Sequence, residues 1–269
     1  MELHPYATAR ALVAGLALAA SLVTNTVFAQ AGGAGTIPVR ADSWAPYCAD
    51  PKDALPGYGI EILKQVFEKK GYTVDYQTMP WKRAVEEVKA GKWNIAIGAT
   101  KSECEGFVFP VEEIGTIQNT FYVKKGTAWK FDGVESLKKI RLGCIEAYEY
   151  EPAIDAYIAS TKDSDKVQPA GGETPLEVNI RKLRAGRIDA MIETPQVVAW
   201  TLKQMNVPDG EIIPANPARS PEDIYTAFSP AKPESKKLAD ELSAGIKELR
   251  QSGELKKILA KYGLTDWKK

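Results

Sequence analysis

Helix-like and strand-like patterns of apolar residues follow one another along the chain. Apolar residues recur with the spacing of one helix face at Trp81, Ala84, Val85 and Val88. Gly91 then ends the helix pattern, because glycine adopts the left-handed conformation after a helix without a Cβ penalty. The apolar run Trp93–Ile97 follows and is typical of a strand buried in a parallel sheet. This stretch therefore predicts a helix that leads into a buried strand.

The same pattern returns 95 residues later in PLEVNIRKLRAGRIDAMIETP, Pro175–Pro195. Proline opens both helices, and an Ala-Gly pair closes each one, at Gly91 and Gly186. Any succession of helix, glycine and strand shares some of these features, but a repeat at a fixed period usually marks equivalent structural units. We therefore expect two similar α/β lobes. Their central strands would end near Ile97 and Ile192 and face one another across a cleft.

The rest of the pattern predicts further strands and helices. Apolar runs typical of strands lie at Thr36–Ala41, Tyr72–Tyr76, Thr116–Val123, Ile140–Ile145, Val167–Gly172, Glu211–Pro214 and Ile224–Phe228. Helix-spaced apolar residues lie at Ile60–Phe67, Pro152–Ile158, Gln196–Met205, Leu238–Leu249 and Leu255–Tyr262. Strands that alternate with helices in this way indicate parallel sheets with crossover helices.

The first 29 residues have the pattern of an export signal. The apolar run Ala11–Val23 follows Arg10, and the small residues of Val27–Ala29 fit a cleavage site before Gln30. A retained membrane anchor is the alternative, but the run is short for a span. We therefore expect a periplasmic protein in which 240 of the 269 residues remain.

Charge and residue content exclude several classes of function. The full chain has 35 acidic and 35 basic residues, and removal of the signal takes one of each, Glu2 and Arg10. Zero net charge disfavours nucleic acid as a partner. The only histidine, His4, leaves with the signal, so Ser-His and Cys-His catalysis is excluded. Neither a zinc site nor any other metal or cofactor is expected.

The three cysteines are Cys48, Cys104 and Cys144. An exported protein folds in an oxidising compartment, where thiols tend to pair. Cys48 follows the first strand and Cys104 follows the strand of the first repeat unit, so both are expected at one edge of the same sheet. We predict a Cys48–Cys104 disulfide and a buried free thiol at Cys144. The alternative is that neither of the first two cysteines pairs.

The order of several segments resembles bacterial extracellular solute-binding proteins of family 3, the amino-acid type binding proteins of ABC importers. These segments are GIEILKQVFEKKGY, PWKRAVEEVKAGKWNIAIG, FVFP, LRAGRIDAMIETP and YTAFSPAKPESKKLADELSAGIKELRQSGELKKILAKYG. The resemblance implies a type II periplasmic-binding-protein fold, in which two α/β lobes close by a hinge over a small solute. It also implies two partners, a small-molecule ligand and a membrane ABC permease, and the receptor itself is expected to be a monomer.

The resemblance further implies that the chain crosses twice between the lobes, near Phe121–Lys125 and Ile224–Phe228. Lobe 1 is then expected to comprise residues 30–124 and 225–269. Lobe 2 is expected to comprise residues 125–224.

Aromatic residues are candidates for the walls of the site. Trp44, Tyr47 and Trp81 fall at the predicted carboxyl edge of the first sheet, and Tyr148 falls at the matching edge of the second. Aromatic walls with a few polar groups are typical of small-molecule pockets. Trp81 also fits the apolar face of its helix, which would make it a core residue instead.

The resemblance places a carboxylate-binding arginine a few residues after the position of Thr100. Here the stretch is Lys101-Ser102-Glu103, so that arginine is absent. Lys101 or Arg83 is a candidate to supply the positive charge, although Arg83 also fits a solvated helix charge. Glu103 and other acids near the cleft favour a neutral or cationic ligand, unless they are solvated loop charges.

In the second lobe, the resemblance places the acid that binds the ligand's amino group near Glu193 or Thr194. The internal repeat sets Glu193 opposite Gly98, at a point where an apolar strand runs into the cleft. A carboxylate in this position needs a partner. The partner is either the ligand or an ion pair between the lobes.

Two functions follow from these residues. The first is a periplasmic receptor that binds a small polar solute, performs no chemistry, and presents its closed form to an ABC permease. The alternative is an enzyme similar to cyclohexadienyl dehydratase, in which Glu193 acts as general acid. The missing arginine disfavours the enzyme, because such a substrate carries carboxylates.

The mature chain is expected to begin at Gln30 in protein recovered from the periplasm, since cleavage follows Val27–Ala29. N-terminal sequencing of the secreted protein tests this expectation. Soluble cytoplasmic protein that begins with Met1 would contradict it.

Overall fold

The computed structural model describes residues 34–161 and 164–268, so the predicted export signal lies outside the described residues. The strands are β1 (Gly35–Ala41), β2 (Tyr72–Thr78), β3 (Ile95–Ala99), β4 (Gly115–Ile117), β5 (Thr120–Lys124), β6 (Leu142–Ile145), β7 (Val167–Ala170), β8 (Ala190–Glu193), β9 (Ile212–Pro217) and β10 (Glu222–Phe228). The helices are α1 (Tyr58–Phe67), α2 (Trp81–Lys89), α3 (Pro152–Thr161), α4 (Pro175–Arg184), α5 (Pro195–Gln204), α6 (Ser235–Gln251) and α7 (Glu254–Ala260). Short 3₁₀ helices lie at Glu68–Lys70 and Val134–Lys139.

The strands form two five-stranded sheets of the same design. The first has the order β2-β1-β3-β10-β4, and the second has the order β7-β6-β8-β5-β9. In each sheet three strands are parallel, and the next strand, β10 or β5, pairs with the central strand in the antiparallel direction. The α/β architecture with two sheets is therefore confirmed.

The two repeat units occupy equivalent places in these sheets. Helix α2 leads into the central strand β3, and helix α4 leads into the central strand β8. Helix α2 buries Trp81, Ala84 and Val88, as its spacing predicts. Burial of a large apolar side chain contributes about 1.5–3 kcal/mol to the free energy of unfolding, so this face holds the helix against the sheet.

The chain passes between the sheets a few residues earlier than the family resemblance implies. The alternating run Thr116–Val123 is not one strand, because β4 pairs with β10 in the first sheet while β5 pairs with β8 in the second. The first crossing therefore lies at residues 118–119, and the return crossing lies at 218–221, between β9 and β10. Both crossings precede the predicted positions, Phe121–Lys125 and Ile224–Phe228, by several residues.

The first repeat strand also begins later than predicted. Trp93 precedes β3, and its ring covers the guanidinium of Arg40 at 4.1 Å. Arg40 is buried on β1 and pairs with Asp75 at 2.9 Å. The ring of Trp93 thus covers the buried guanidinium of an ion pair whose acid, Asp75, is partly exposed, instead of extending the strand. Within the described ranges, no helix is long and apolar enough to cross a membrane.

The predicted disulfide is not formed in the structure, where all three cysteines are buried free thiols. Cys48 packs with Tyr47 and Tyr58, and its Sγ donates a hydrogen bond to the Asp42 carbonyl at 3.5 Å. Cys104 belongs to a different apolar cluster, built around Trp81. A disulfide requires Cβ atoms about 3.8 Å apart, and a shared sheet edge alone does not bring two side chains that close.

Thiol titration tests this finding. Secreted protein unfolded in guanidinium without reductant should release three thiols per chain, and a single thiol would contradict the structure. The folded protein should react slowly, because burial raises the pKa of each thiol, that of Cys144 to about 12.

Candidate functional site

A cavity of about 30 Å³ lies where the carboxyl ends of strands from both sheets meet. Strands β1 and β3 reach it from the first sheet, and strand β8 reaches it from the second. The cavity is lined by Asp42, Trp44, Trp81, Ile97, Gly98, Thr100, Glu103, Ile117, Asn119, Tyr148, Glu149 and Glu193. Its position is the one that the internal repeat predicts. The enclosed space has room for only about one or two water molecules, so a larger solute requires the lobes to open.

Trp44 forms one wall and also joins the two sheets. Its Nε1 donates a hydrogen bond to Oε1 of Glu193 at 3.2 Å, and its ring stacks on Tyr47 at 4.2 Å. The other side of the ring lies against Gly98, where a Cβ atom would meet it at 3.1 Å. Gly98 also has φ +97°, a conformation that disfavours other residues. Glycine at this position therefore lets the indole ring lie against the end of β3.

Trp81 and Glu103 form a second wall within the first lobe. The Nε1 of Trp81 donates to Oε1 of Glu103 at 2.7 Å. The Thr100 hydroxyl accepts a hydrogen bond from the Glu103 backbone N–H at 3.2 Å, which fixes the loop after β3. Trp81 is both a core residue and a cavity residue, so the two alternatives considered for it are compatible.

Tyr148 closes the cavity from the second lobe. Its hydroxyl donates to Oδ2 of Asp42 at 2.7 Å, and its ring meets Trp81 edge-on at 6.5 Å. Tyr148 follows β6, whereas Asp42 follows β1. This contact therefore also joins the two sheets across the cavity.

Glu193 is the most buried charged group of the site, with 1% of its surface exposed. Its Oε1 accepts hydrogen bonds from Trp44 and from the Thr194 backbone N–H, the latter at 2.6 Å. Its Oε2 is buried and has no hydrogen-bond partner. An ionised oxygen without a partner in such a place is costly, so the site is complete only when something donates to it.

A larger groove of about 720 Å³ lies on another part of the surface, between Leu55, Trp200 and Tyr262. Polar residues that line it, such as Lys203 and Gln204, are exposed. The smaller cavity is the stronger candidate, because it contains a buried polar atom without a partner, Oε2 of Glu193.

A model of the bacterial extracellular solute-binding proteins, family 3, matches residues 39–265. The chain belongs to this family. The chain is similar to the "Arginine-binding extracellular protein ArtP" of Bacillus subtilis, with 22% identity over 227 residues. The match covers 81% of this chain and 82% of ArtP.

Solved structures of other binding proteins share the fold. An ancestral arginine-binding protein bound to glutamine has a TM-score of 0.69 at 21% identity, over 85% of this chain and 97% of that chain. An ABC uptake transporter substrate-binding protein of Streptococcus pneumoniae with bound histidine has a TM-score of 0.67 at 18% identity, over 84% of this chain and 92% of that chain. The type II two-lobed fold expected from the sequence is thus confirmed.

The cavity brings together six of the residues predicted for the site, from both lobes. These are Trp44, Trp81, Thr100, Glu103, Tyr148 and Glu193. Tyr47 lies behind Trp44, and its hydroxyl donates to the Thr116 carbonyl at 3.0 Å. Thr194 is buried beside the lining, with its hydroxyl 3.4 Å from Oδ1 of Asn119.

The two cations proposed to replace the family arginine lie outside the lining. Arg83 is largely exposed and pairs with Glu87 at 2.9 Å, which agrees with a solvated helix charge. The Lys101 ammonium lies 4.2 Å from the centre of the Tyr225 ring. Both side chains are therefore engaged elsewhere.

Sequence reasoning missed Asp42 and Asn119 among the polar lining residues. Asp42 directly follows β1, so its place at the carboxyl end of a strand was a usable signal. Asn119 lies in the crossing between β4 and β5, where the pattern suggested a continuous strand.

Burial is the main cause of the altered acidity of the two most enclosed acids. It raises the pKa of Asp42 to about 6 and the pKa of Glu193 to about 7. The hydrogen bond from Tyr148 to Asp42 offsets part of the rise in the pKa of Asp42. Hydrogen bonds from Thr194 and Trp44 offset part of the rise in the pKa of Glu193. The charge of Asp42 raises the pKa of Glu193 further.

Burial likewise raises the pKa of Glu103 to about 8. A hydrogen bond from Trp81 lowers this pKa, whereas the charge of Glu149 raises it further. Glu103 keeps more contact with solvent than the other two acids. The dependence of stability on pH therefore comes mainly from the more enclosed acids, Asp42 and Glu193.

The protein should lose stability as pH rises from about 5 to about 8. In the unfolded chain these carboxyl groups titrate near pH 4, so the folded state binds more protons in this range and the free energy of unfolding falls with rising pH. The other titratable groups facing Glu193 stay neutral here, because their pKa values lie above the usual range: they are the phenols Tyr47, Tyr122, Tyr148 and Tyr150.

Urea unfolding at pH 5 and pH 8 measures this effect in the absence of added solute. The decline should be smaller in Glu193→Gln, which cannot ionise. Glu135→Gln changes an exposed carboxylate and should keep the wild-type decline. An equal decline in wild type and Glu193→Gln would show that Glu193 does not titrate in this range.

Proposed function

We propose that the protein captures a small polar organic solute between its two lobes in the periplasm and delivers it to a membrane ABC permease. The observation that carries this proposal is a pair of hydrogen bonds across the cavity, from Trp44 to Glu193 and from Tyr148 to Asp42. Each bond joins a residue of one sheet to a residue of the other. Their formation depends on lobe closure, so binding at the cavity and closure of the lobes are coupled.

Further contacts support a closed arrangement of this kind. The Ser43 backbone N–H donates to the Glu173 carbonyl at 3.1 Å, and the Lys82 ammonium lies 3.6 Å from the Glu146 carboxylate. These contacts surround the cavity and also connect the two lobes. A permease that binds only the closed form would distinguish loaded from unloaded receptor.

An enzyme remains the second candidate because the pKa of Glu193, at about 7, suits a general acid at neutral pH. The named relatives are binding proteins, however, and dicarboxylate substrates such as prephenate would face four carboxyl groups in the cavity. Purified protein should not turn over prephenate or arogenate. Turnover by wild type that is lost in Glu193→Gln would favour the enzyme.

A thermal-shift screen against a metabolite library tests solute capture. A solute at 100 times its dissociation constant adds about 2.7 kcal/mol to the free energy of unfolding. In X-ray scattering, the protein saturated with this solute should have the radius of gyration of the closed arrangement, because the lobes hold the solute between them. A larger radius of gyration in the saturated protein would argue against the two-lobe clamp.

Tyr148→Phe should weaken binding of that solute by about 1 kcal/mol or more, because the ring remains but the hydrogen bond to buried Asp42 is lost. The matched control is Tyr157→Phe, which removes a hydrogen bond to the Leu137 carbonyl within the second lobe. The control should change stability but not affinity. Calorimetric affinities that are equal in wild type and Tyr148→Phe would contradict the clamp.

A further inference from the structure

We infer that the solute is a small organic cation that lacks a carboxylate, an amine rather than an amino acid. The inference rests on the proposed function and specifies its ligand. It follows from the charges that line the cavity, from one polar atom that lacks a partner, and from the aromatic walls.

Apart from the phenol of Tyr148, every ionisable side chain that lines the cavity is a carboxyl group. The four are Asp42, Glu103, Glu149 and Glu193. Among the described lining residues there is no lysine, arginine or histidine. When they ionise, these acids repel one another across the small cavity, and a cation placed between them relieves this repulsion. A carboxylate in the same place would add to it.

The second and independent observation is Oε2 of Glu193. This atom is buried, it belongs to a residue with 1% exposure, and it has no hydrogen-bond partner, although Oε1 of the same group has two. Such an oxygen accepts a hydrogen bond from a donor that enters the cavity. An ammonium group supplies both the donor and the opposite charge.

The nearby cations are already engaged and do not reach the cavity. Arg83 pairs with Glu87, Lys101 lies over the Tyr225 ring, and Arg219 pairs with Glu222. A ligand carboxylate in the cavity would therefore find no guanidinium or ammonium group among the lining residues. The cavity would then bind the amino group of an amino acid but not its carboxylate.

The walls suit an organic cation in a second way. Rings of Trp44, Trp81 and Tyr148 line the cavity, and aromatic faces attract ammonium groups. A metal ion fits less well: within residues 34–161 and 164–268, no three carboxyl, imidazole or thiol groups are arranged to hold one. The combination of rings and carboxylates thus favours an amine.

Matched pairs of molecules that differ only by the carboxylate test the inference. Agmatine with arginine, tyramine with tyrosine, and cadaverine with lysine are added to the full mature protein at equal concentrations, and melting temperature and calorimetric affinity are measured. Calcium and magnesium salts are included as metal probes. At least one amine should bind at least about tenfold more tightly than its amino acid, because only the amine avoids an unpaired carboxylate.

The outcomes separate the inference from the proposed function. Three results would overturn the assignment of an amine and leave solute capture intact. The first is an amino acid that binds as tightly as its amine, and the second is a metal ion that stabilises the protein instead. The third is a neutral or anionic library solute that closes the lobes while no amine binds. Absence of any stabilising solute would contradict both.

A variant locates the effect at the cavity. Glu193→Gln keeps the size of the side chain and removes its charge, so it should weaken amine binding at least about tenfold. Glu177→Gln, on the outer face of α4 and paired with Arg181, should bind as wild type does. Unchanged amine affinity in a folded Glu193→Gln protein would overturn the role assigned to Oε2. A melting curve establishes that the variant is folded.

Discussion

Two hydrogen bonds across the cavity, Trp44 to Glu193 and Tyr148 to Asp42, determine most of the chemistry of the site. Each bond fixes an acid from one sheet against an aromatic donor from the other. Closing the lobes in this way removes both acids from water, and burial then raises their pKa values. The closed cleft therefore contains groups that resist ionisation until a cation compensates them.

This arrangement distinguishes the protein from a receptor built around a carboxylate. Recognition of an α-carboxylate needs a cation in the first lobe, but the loop after β3 presents Glu103, hydrogen-bonded to Trp81, toward the cavity. The family membership establishes the two-lobed scaffold, whereas the side chains at the strand ends decide the ligand. Here those side chains are acidic or aromatic.

Much of the scaffold could be predicted from the sequence, because the internal repeat reports local geometry. The helix, glycine and strand of each unit were located by apolar spacing alone, and the equivalence of β3 and β8 placed Glu193 at the cleft. The exchange of strands between sheets was not visible. Ile117, Phe121 and Val123 share the phase of one strand, with polar Asn119 between them, and this pattern does not show that the chain leaves one sheet and enters the other at Asn119.

The site was only partly predictable for a related reason. Residue type indicated that Arg83 and Lys101 carry charge, but not that Glu87 and the Tyr225 ring hold them outside the cavity. The predicted Cys48–Cys104 disulfide was wrong for the same reason, because the sequence does not show where the two side chains point. Proximity along a sheet edge is a property of the backbone, whereas bonding and coordination depend on side-chain directions that a sequence pattern does not contain.

The most direct measurement is the titration of side-chain carboxyl groups by ¹³C NMR, with Glu193→Gln used to assign the resonance of Glu193. The account predicts that Glu193 titrates near pH 7 in the protein alone and at a lower pH when a stabilising amine is bound, because a cation favours the carboxylate. A Glu193 resonance that titrates near pH 4 in the protein alone would contradict the account, since the acid would then not be enclosed between the lobes.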